Sequence, residues 1–423
     1  MLKLIKKLYP LNRSLMGPSN LQTLNILKKY NRNLKIKYFK TGEKFFDWKI
    51  PREWRIKEAY ITTPDNKKIC DFKNNNLHVV GYSKKITKIL SLKELQKKLF
   101  SIIKNPDAVP YITSYYKKDW GFCIKHKDRR KLKNGNYRVL IDSKFIKGKM
   151  HYGEIFIKGE LKKEILFSTY ICHPSMANNE LSGPVLATWI AQFLKSKRRR
   201  YSYRIVFTSE TIGTIAFIKK NLSNLNKNLL AGYILTCVGD ERCFSFIPSR
   251  TGNTTSDRFA LKILDKVKKK VNYYSWLDRA SDERQYCSPG IDLPICTIMK
   301  SKYGKFKEYH TSLDTIGRVV TKKGLYESLN VYKKLIAEYE KNFFPITNFK
   351  CEPFMTKHKL YPTTNNRTNW VTPAELQTRN IMNFLSWCDG KSSLEEIAVK
   401  IKLSSKNINK IFKLLLKKKL IHI

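Results

Sequence analysis

After residue 152 the chain repeats one unit: a short stretch apolar at nearly every position, then a segment whose apolar residues recur with helical spacing. EILFSTYIC precedes a helix from about Pro184 to Leu194, and YRIVFTS precedes a helix from about Thr214. GYILTCV and LPICTIM read as further strands, and a last helix runs from about Lys323 to Tyr339. A strand apolar on both faces cannot leave one side in water, so it needs cover above and below. This alternation predicts an α/β fold with a mostly parallel central sheet flanked by helices. YGEIFIKG reads as one more strand, joined to EILFSTYIC by a polar turn.

The flanking segments follow other patterns. Leu2 to Tyr38 reads as largely helical, and FFDWKIPREWRIKEAYITTP turns strand-like. The region to residue 150 is rich in aromatics, carries a helix from Leu92 to Ile103, and reads as an inserted α+β unit. Beyond the Pro/Asn/Thr-rich stretch YPTTNNRTNWVTP come three amphipathic helices and a terminal strand, Leu420 to Ile423. Asp389-Gly390 marks a turn, Ser404 or Ser405 a helix cap, and the whole suggests a winged helix. The expected division is 1–51 as the N-terminal part of the main domain, 52–150 as the insertion, 151–350 as the main part, and 365–423 as the winged helix.

In 423 residues no apolar run approaches the ~20 residues that cross a bilayer. The N-terminus has a basic start without an apolar core or cleavage site, so a cytoplasmic protein without a membrane span is expected. Nine scattered cysteines without a C-x-x-C pair suit reduced, buried thiols. The formal charge of +49 could attract nucleic acid or an acidic membrane face. The basic residues are mostly Lys and spread from end to end, which suits compositional drift better than a focused stripe. Nucleic-acid binding is therefore expected to be nonspecific only.

In open α/β sheets, ligands bind beyond the carboxyl ends of the strands. Polar clusters lie at four such places: His173-Pro174-Ser175 with NNELSG, Glu210-Thr211, Asp240-Glu241, and YHTSLDT around His310. A catalytic zinc takes about three N/O ligands and keeps one position for water, with a carboxylate nearby to move the proton. His173, Glu180 and His310 could ligate, leaving Glu210 as general base. Taken singly, a histidine after a buried strand is more often structural, Glu210 could cap a helix, and Asp282-Glu283 could start one. Their joint order is what points to metal-assisted hydrolysis.

The succession HPS…NNELSG, FTSETIG, ILTCVG, SDERQY…GIDLP and YHTSLDT resembles the zinc aminopeptidase superfamily, including aminopeptidases S and Y and the glutaminyl cyclases. With LYPLNRSLMG, FDWKIPREW, NNLHVVGYS, PYITSYY and WGFC, the chain is most similar to a bacterial aminopeptidase-like subfamily with an inserted domain and a C-terminal winged helix. The resemblance implies a peptidase-like main domain with His173 and His310 as ligands and Glu210 as base. It also implies substrate contacts at Asn179, Glu283 and Tyr309. Two-zinc members carry further acids where this chain has Asn179, Thr211 and Thr236. One zinc per chain on His173, Glu180 and His310 is therefore expected, with Asp240 and Asp282 as alternative ligands.

The expected activity is hydrolysis of an amide or peptide bond in a small peptide or amino-sugar-like compound. The subfamily resemblance points towards surface-polysaccharide or modified-sugar metabolism. Two other classes remain open: a catalytically silent binding protein on a peptidase fold, motivated by the lost acids, and a winged-helix nucleic-acid-binding regulator. The last helix carries Ile408, Ile411, Phe412, Leu414, Leu415 and Leu416, which would also suit docking or a homo-oligomer. Tyr115, Tyr116 and Trp120 of the insertion could wall the substrate cleft or belong to a core.

Overall fold

In the computed structural model, which describes residues 1–115, 117–362 and 372–423, the alternation becomes one eight-stranded sheet. Its order is Lys35–Lys40, Lys149–Ile157, Ser202–Thr208, Glu164–Tyr170, Leu229–Ile234, Ile295–Met299, Phe244–Ile247 and Val271–Tyr273. The central neighbours, from Ser202–Thr208 to Ile295–Met299, are parallel, and antiparallel pairing begins outside them. Glu164–Tyr170, Leu229–Ile234 and Ile295–Met299 are buried at every position, as strands covered on both faces must be. The helices Ser182–Lys195, Ile212–Asn228 and Thr255–Leu264 pack on them. Lys149–Ile157 and Glu164–Tyr170 are consecutive but unpaired, because Ser202–Thr208 lies between them. The polar turn therefore spans an intervening strand instead of closing a hairpin.

Largely helical structure over Leu2 to Tyr38 is only partly found. Helices Leu2–Leu8 and Pro18–Tyr30 form, but Lys35–Lys40 is an edge strand. It pairs antiparallel with Lys149–Ile157, so the chain leaves the main sheet after Lys40 and rejoins it at Lys149. Between these points Glu53–Thr62, Asn136–Ile146 and Ile86–Ser91 build most of a four-stranded antiparallel sheet. Ala59, Ile61, Val139 and Ile141 bury its inner face. The helix expected from Leu92 to Ile103 stops at Gln96. Ser91 and Glu94 cap its start, and Leu99–Phe100 is drawn into a short pairing with Phe122–Cys123.

The chain forms two compact units, 1–333 and 334–423. In the second, helices Pro373–Leu385, Leu394–Lys400 and Ser405–Lys417 accompany an antiparallel pair, Ile346–Thr347 with Ile421–His422. Ser404 caps the last helix by accepting the Asn407 N–H. Ile408, Ile411, Phe412 and Leu415 pack with Ile381, Phe384 and Ile397. The apolar face considered for docking is thus mostly spent on the unit's own core, and Leu416 is left outside it. Among the described residues no helix is long and apolar enough to cross a membrane.

Candidate active site

The strand Glu164–Tyr170 ends just before Cys172, His173 and Pro174, and proline has no N–H to continue a ladder. Ser175 then adopts φ 41° and turns the chain into a single π-turn, Ala177–Leu181, ahead of the helix Ser182–Lys195. Such turns are frequent at functional sites. The helix that follows it starts tight against the sheet: a Cβ at Gly183 would come within 2.2 Å of the Leu235 carbonyl oxygen. Non-glycine residues with left-handed backbone gather around the turn. Thr211 has φ 66°, Cys237 49° and His310 52°, each after a strand of the main sheet. Strain of this kind persists where surrounding contacts over-determine it, and it concentrates at working sites.

Within this setting His173 Nδ1 lies 2.8 Å from Glu180 Oε2 and 3.4 Å from Cys172 Sγ. Its Nε2 is 3.7 Å from Glu210 Oε2. Burial alone would lower the His173 pKa, but the hydrogen bond and charge of Glu180, with Glu210 behind them, raise it. Ligand atoms of Cys172, His173 and Glu180 all lie within 4.8 Å of one another. Glu180 Oε1 is buried without a hydrogen-bond partner, with Arg13 Nε at 3.7 Å. Arg13 is itself buried and donates to the carbonyls of His173 and Leu8 at 3.0 and 2.6 Å.

Glu210 Oε1 accepts the Ser281 hydroxyl at 2.8 Å, which leaves Oε2 facing His173. Burial raises the Glu210 pKa against the opposing charge of His173. His310 stands beside this group rather than inside it, with its ring centroid 5.5 Å from that of His173. Burial, and then the charge of His173, pushes its pKa down to about 3. Tyr309 stacks on it at 3.9 Å. The insertion contributes Tyr111, which sits edge-on to both histidines and donates its N–H to the His310 carbonyl at 2.8 Å.

The remaining residues expected near the site have other partners. Asp240 accepts from the N–H of Arg242, from Ser301 N–H and Oγ, and from the Asn178 amide. Asp282 accepts the Thr211 N–H and the Thr214 hydroxyl, and burial beside Glu210 pushes its pKa up to about 7. Glu283 braces its own loop through the N–H groups of Ala280 and Ser281 and the Tyr303 hydroxyl. Asn179 is held by Tyr170, whose hydroxyl lies 3.3 Å from Asn179 Oδ1 and 2.6 Å from Thr236 Oγ1.

Cys172, Arg13, Tyr111, Ser281 and Asp314 escaped the sequence reading. Neighbours on a strand point to opposite faces, so Cys172 and His173 converge only because the strand has already ended. Asp314 sits in the noted YHTSLDT segment; it accepts the N–H groups of Asn178 and Asn179 at 2.8 and 2.9 Å and so fixes the π-turn. A cavity of about 360 Å³ opens over Cys172, His173 and Glu210. Tyr115 lines it, Trp120 is a core residue, and Tyr116 lies outside the described residues.

Thiolate, imidazole and carboxylate are donors that zinc takes, and a buried carboxylate oxygen without a hydrogen bond sits among them, so these residues fit one metal ion. The neutral side chains of Asn179, Thr211 and Thr236 offer no comparable second set. The eight described cysteines other than Cys172 are also unpaired by disulfides.

The family described as a domain of unknown function (DUF4910) matches residues 2–342, and a winged helix-turn-helix family matches residues 342–423. A Clostridium acetobutylicum protein, provisionally named for polysaccharide biosynthesis and an aminopeptidase-like domain, is 39% identical over 398 residues; the match spans 94% of this chain and 90% of that protein. A crystal structure from Clostridium acetobutylicum, provisionally described as a peptidase, matches with TM-score 0.80 and 38% identity, covering 99% of this chain and 95% of that one. A zinc aminopeptidase from Bacillus subtilis matches with TM-score 0.55 at 12% identity, over 79% of this chain and 94% of that one. At that identity the likeness shows a common fold.

Proposed function

The chain belongs to the family described as a domain of unknown function (DUF4910), and on that premise we propose that it is a metal-dependent hydrolase of amide bonds in small peptide or amino-sugar-like compounds. The observation that carries this reading is the convergence of Cys172, His173 and Glu180 under a cavity that Glu210 also lines. The name of the Clostridium acetobutylicum relative supports a place in polysaccharide synthesis. His173 and Glu180 would hold the metal, with Cys172 in reach and His310 as the further ligand expected from the sequence. Bound there, zinc would supply an activated water and polarise the amide carbonyl.

The chain's own residues account for the proton. Ser281 fixes one Glu210 oxygen and leaves the other to accept a proton from water and deliver it to the leaving nitrogen. Burial raises the Glu210 pKa above the ordinary carboxylate value, which makes it a stronger base for that proton. Asp282 orients the following turn by holding the N–H of Thr211. Glu210→Gln is expected to keep its metal and lose about 10²–10⁴-fold in turnover. Unchanged turnover in a screen of acyl-amino-sugar and peptide amides would remove Glu210 from the mechanism. The neutral residues at 179, 211 and 236 favour a second reading, a binding protein without turnover. Metal-loaded protein that binds such amides but never cleaves them would establish it.

A further inference from the structure

Two unlike kinds of residue line the cavity. Leu15, Trp48 and Tyr115 are apolar or aromatic; Thr211, Arg284 and Gln285 are polar. Glu210 is the carboxylate among the lining residues, and Arg284 the guanidinium. Arg284 is exposed, donates one hydrogen bond to Thr211 Oγ1 at 2.8 Å, and forms no ion pair among the described residues. The two carboxylates that precede it in sequence are engaged elsewhere: Glu283 accepts the Ala280 and Ser281 N–H groups and the Tyr303 hydroxyl. Asp282 is buried and gives one oxygen to the Thr211 N–H and the other to the Thr214 hydroxyl. Position 211, one residue beyond Glu210, is a neutral threonine.

A guanidinium carries five N–H donors in a planar fork that matches the oxygens of a carboxylate or phosphate. In a partly enclosed cavity it favours such an oxyanion and disfavours an ammonium group. The apolar and aromatic lining residues suit a ring or an acyl chain. Resting on the hydrolase reading above, we infer that the amide compound taken by this cavity carries an oxyanion docked on Arg284, rather than the free amine of an ordinary aminopeptidase substrate. The anion subsite itself needs no turnover, so the two readings fail separately.

The test uses the full-length protein and its Glu210→Gln variant, titrated calorimetrically with inorganic phosphate and with acetate at ionic strength held constant by chloride. Saturable one-site binding of at least one of these anions is expected, in both proteins. Arg284→Gln should weaken it about tenfold or more, and Arg284→Lys, which keeps the charge without the fork, by less. An exposed position makes both variants compatible with folding, which circular dichroism checks. No saturable heat with either anion, or binding that survives Arg284→Gln unchanged, overturns the inference. So does leucine amide, with its free ammonium, binding the unaltered protein as tightly as the better anion. Anion binding that depends on Arg284 while no amide is ever cleaved would instead retain the subsite and reject the hydrolase.

Discussion

Arg13 and Glu180 share the deepest charge pair of the site, both side chains shut off from solvent. Removing one partner of such a pair leaves the other charge buried and uncompensated, a loss of about 3–5 kcal/mol. Arg13→Met should therefore destabilise the metal-free protein by about that amount in urea unfolding. Added zinc should recover part of it, since a cation beside Glu180 replaces the lost charge; equal losses with and without zinc would place the metal elsewhere. Asp314 gives a pH signature. Burial pushes its pKa up to about 7. A carboxyl with a raised folded pKa stabilises the fold fully below its unfolded pKa and loses that contribution as pH rises through 7. Asp314→Asn cannot ionise, so the melting temperature of the unaltered protein relative to this variant should fall between pH 5 and pH 8. A constant difference would show that Asp314 does not titrate there.

Among the elements, the π-turn Ala177–Leu181 does most to gather the site. It brings Glu180 onto His173 while Asp314 holds two of its N–H groups. Gly183 lets the following helix press on the sheet, and Gly183→Ala would force a Cβ to within 2.2 Å of the Leu235 oxygen. The backbone must shift to admit it, at a cost of about 1–3 kcal/mol or more in unfolding experiments. The central strands were legible because burial on both faces leaves a continuous apolar run. The edge strand Lys35–Lys40 was not, since its burial alternates little and its partner lies beyond the insertion. His173 and Glu210 could be found because strand ends announce them. Arg13 and Tyr111 could not, because tertiary contacts with the His173 and His310 loops bring them in.

At the scale of the whole molecule, +49 is a large surface charge with carboxylates too few to balance it. Duplex DNA should bind at low salt and dissociate by ~200 mM, without sequence preference. A filter-binding series at increasing salt checks this, and a sequence-dependent complex that persists would contradict it. Such attraction says nothing about the cavity, whose contents decide the function. The proposed hydrolase depends on one metal ion held by His173 and Glu180. Elemental analysis of protein purified without chelators or a histidine tag tests it most directly. About one zinc per chain is expected, lost in His173→Ala and kept in Glu210→Gln. No metal after zinc is supplied, or a full complement in His173→Ala, would contradict it.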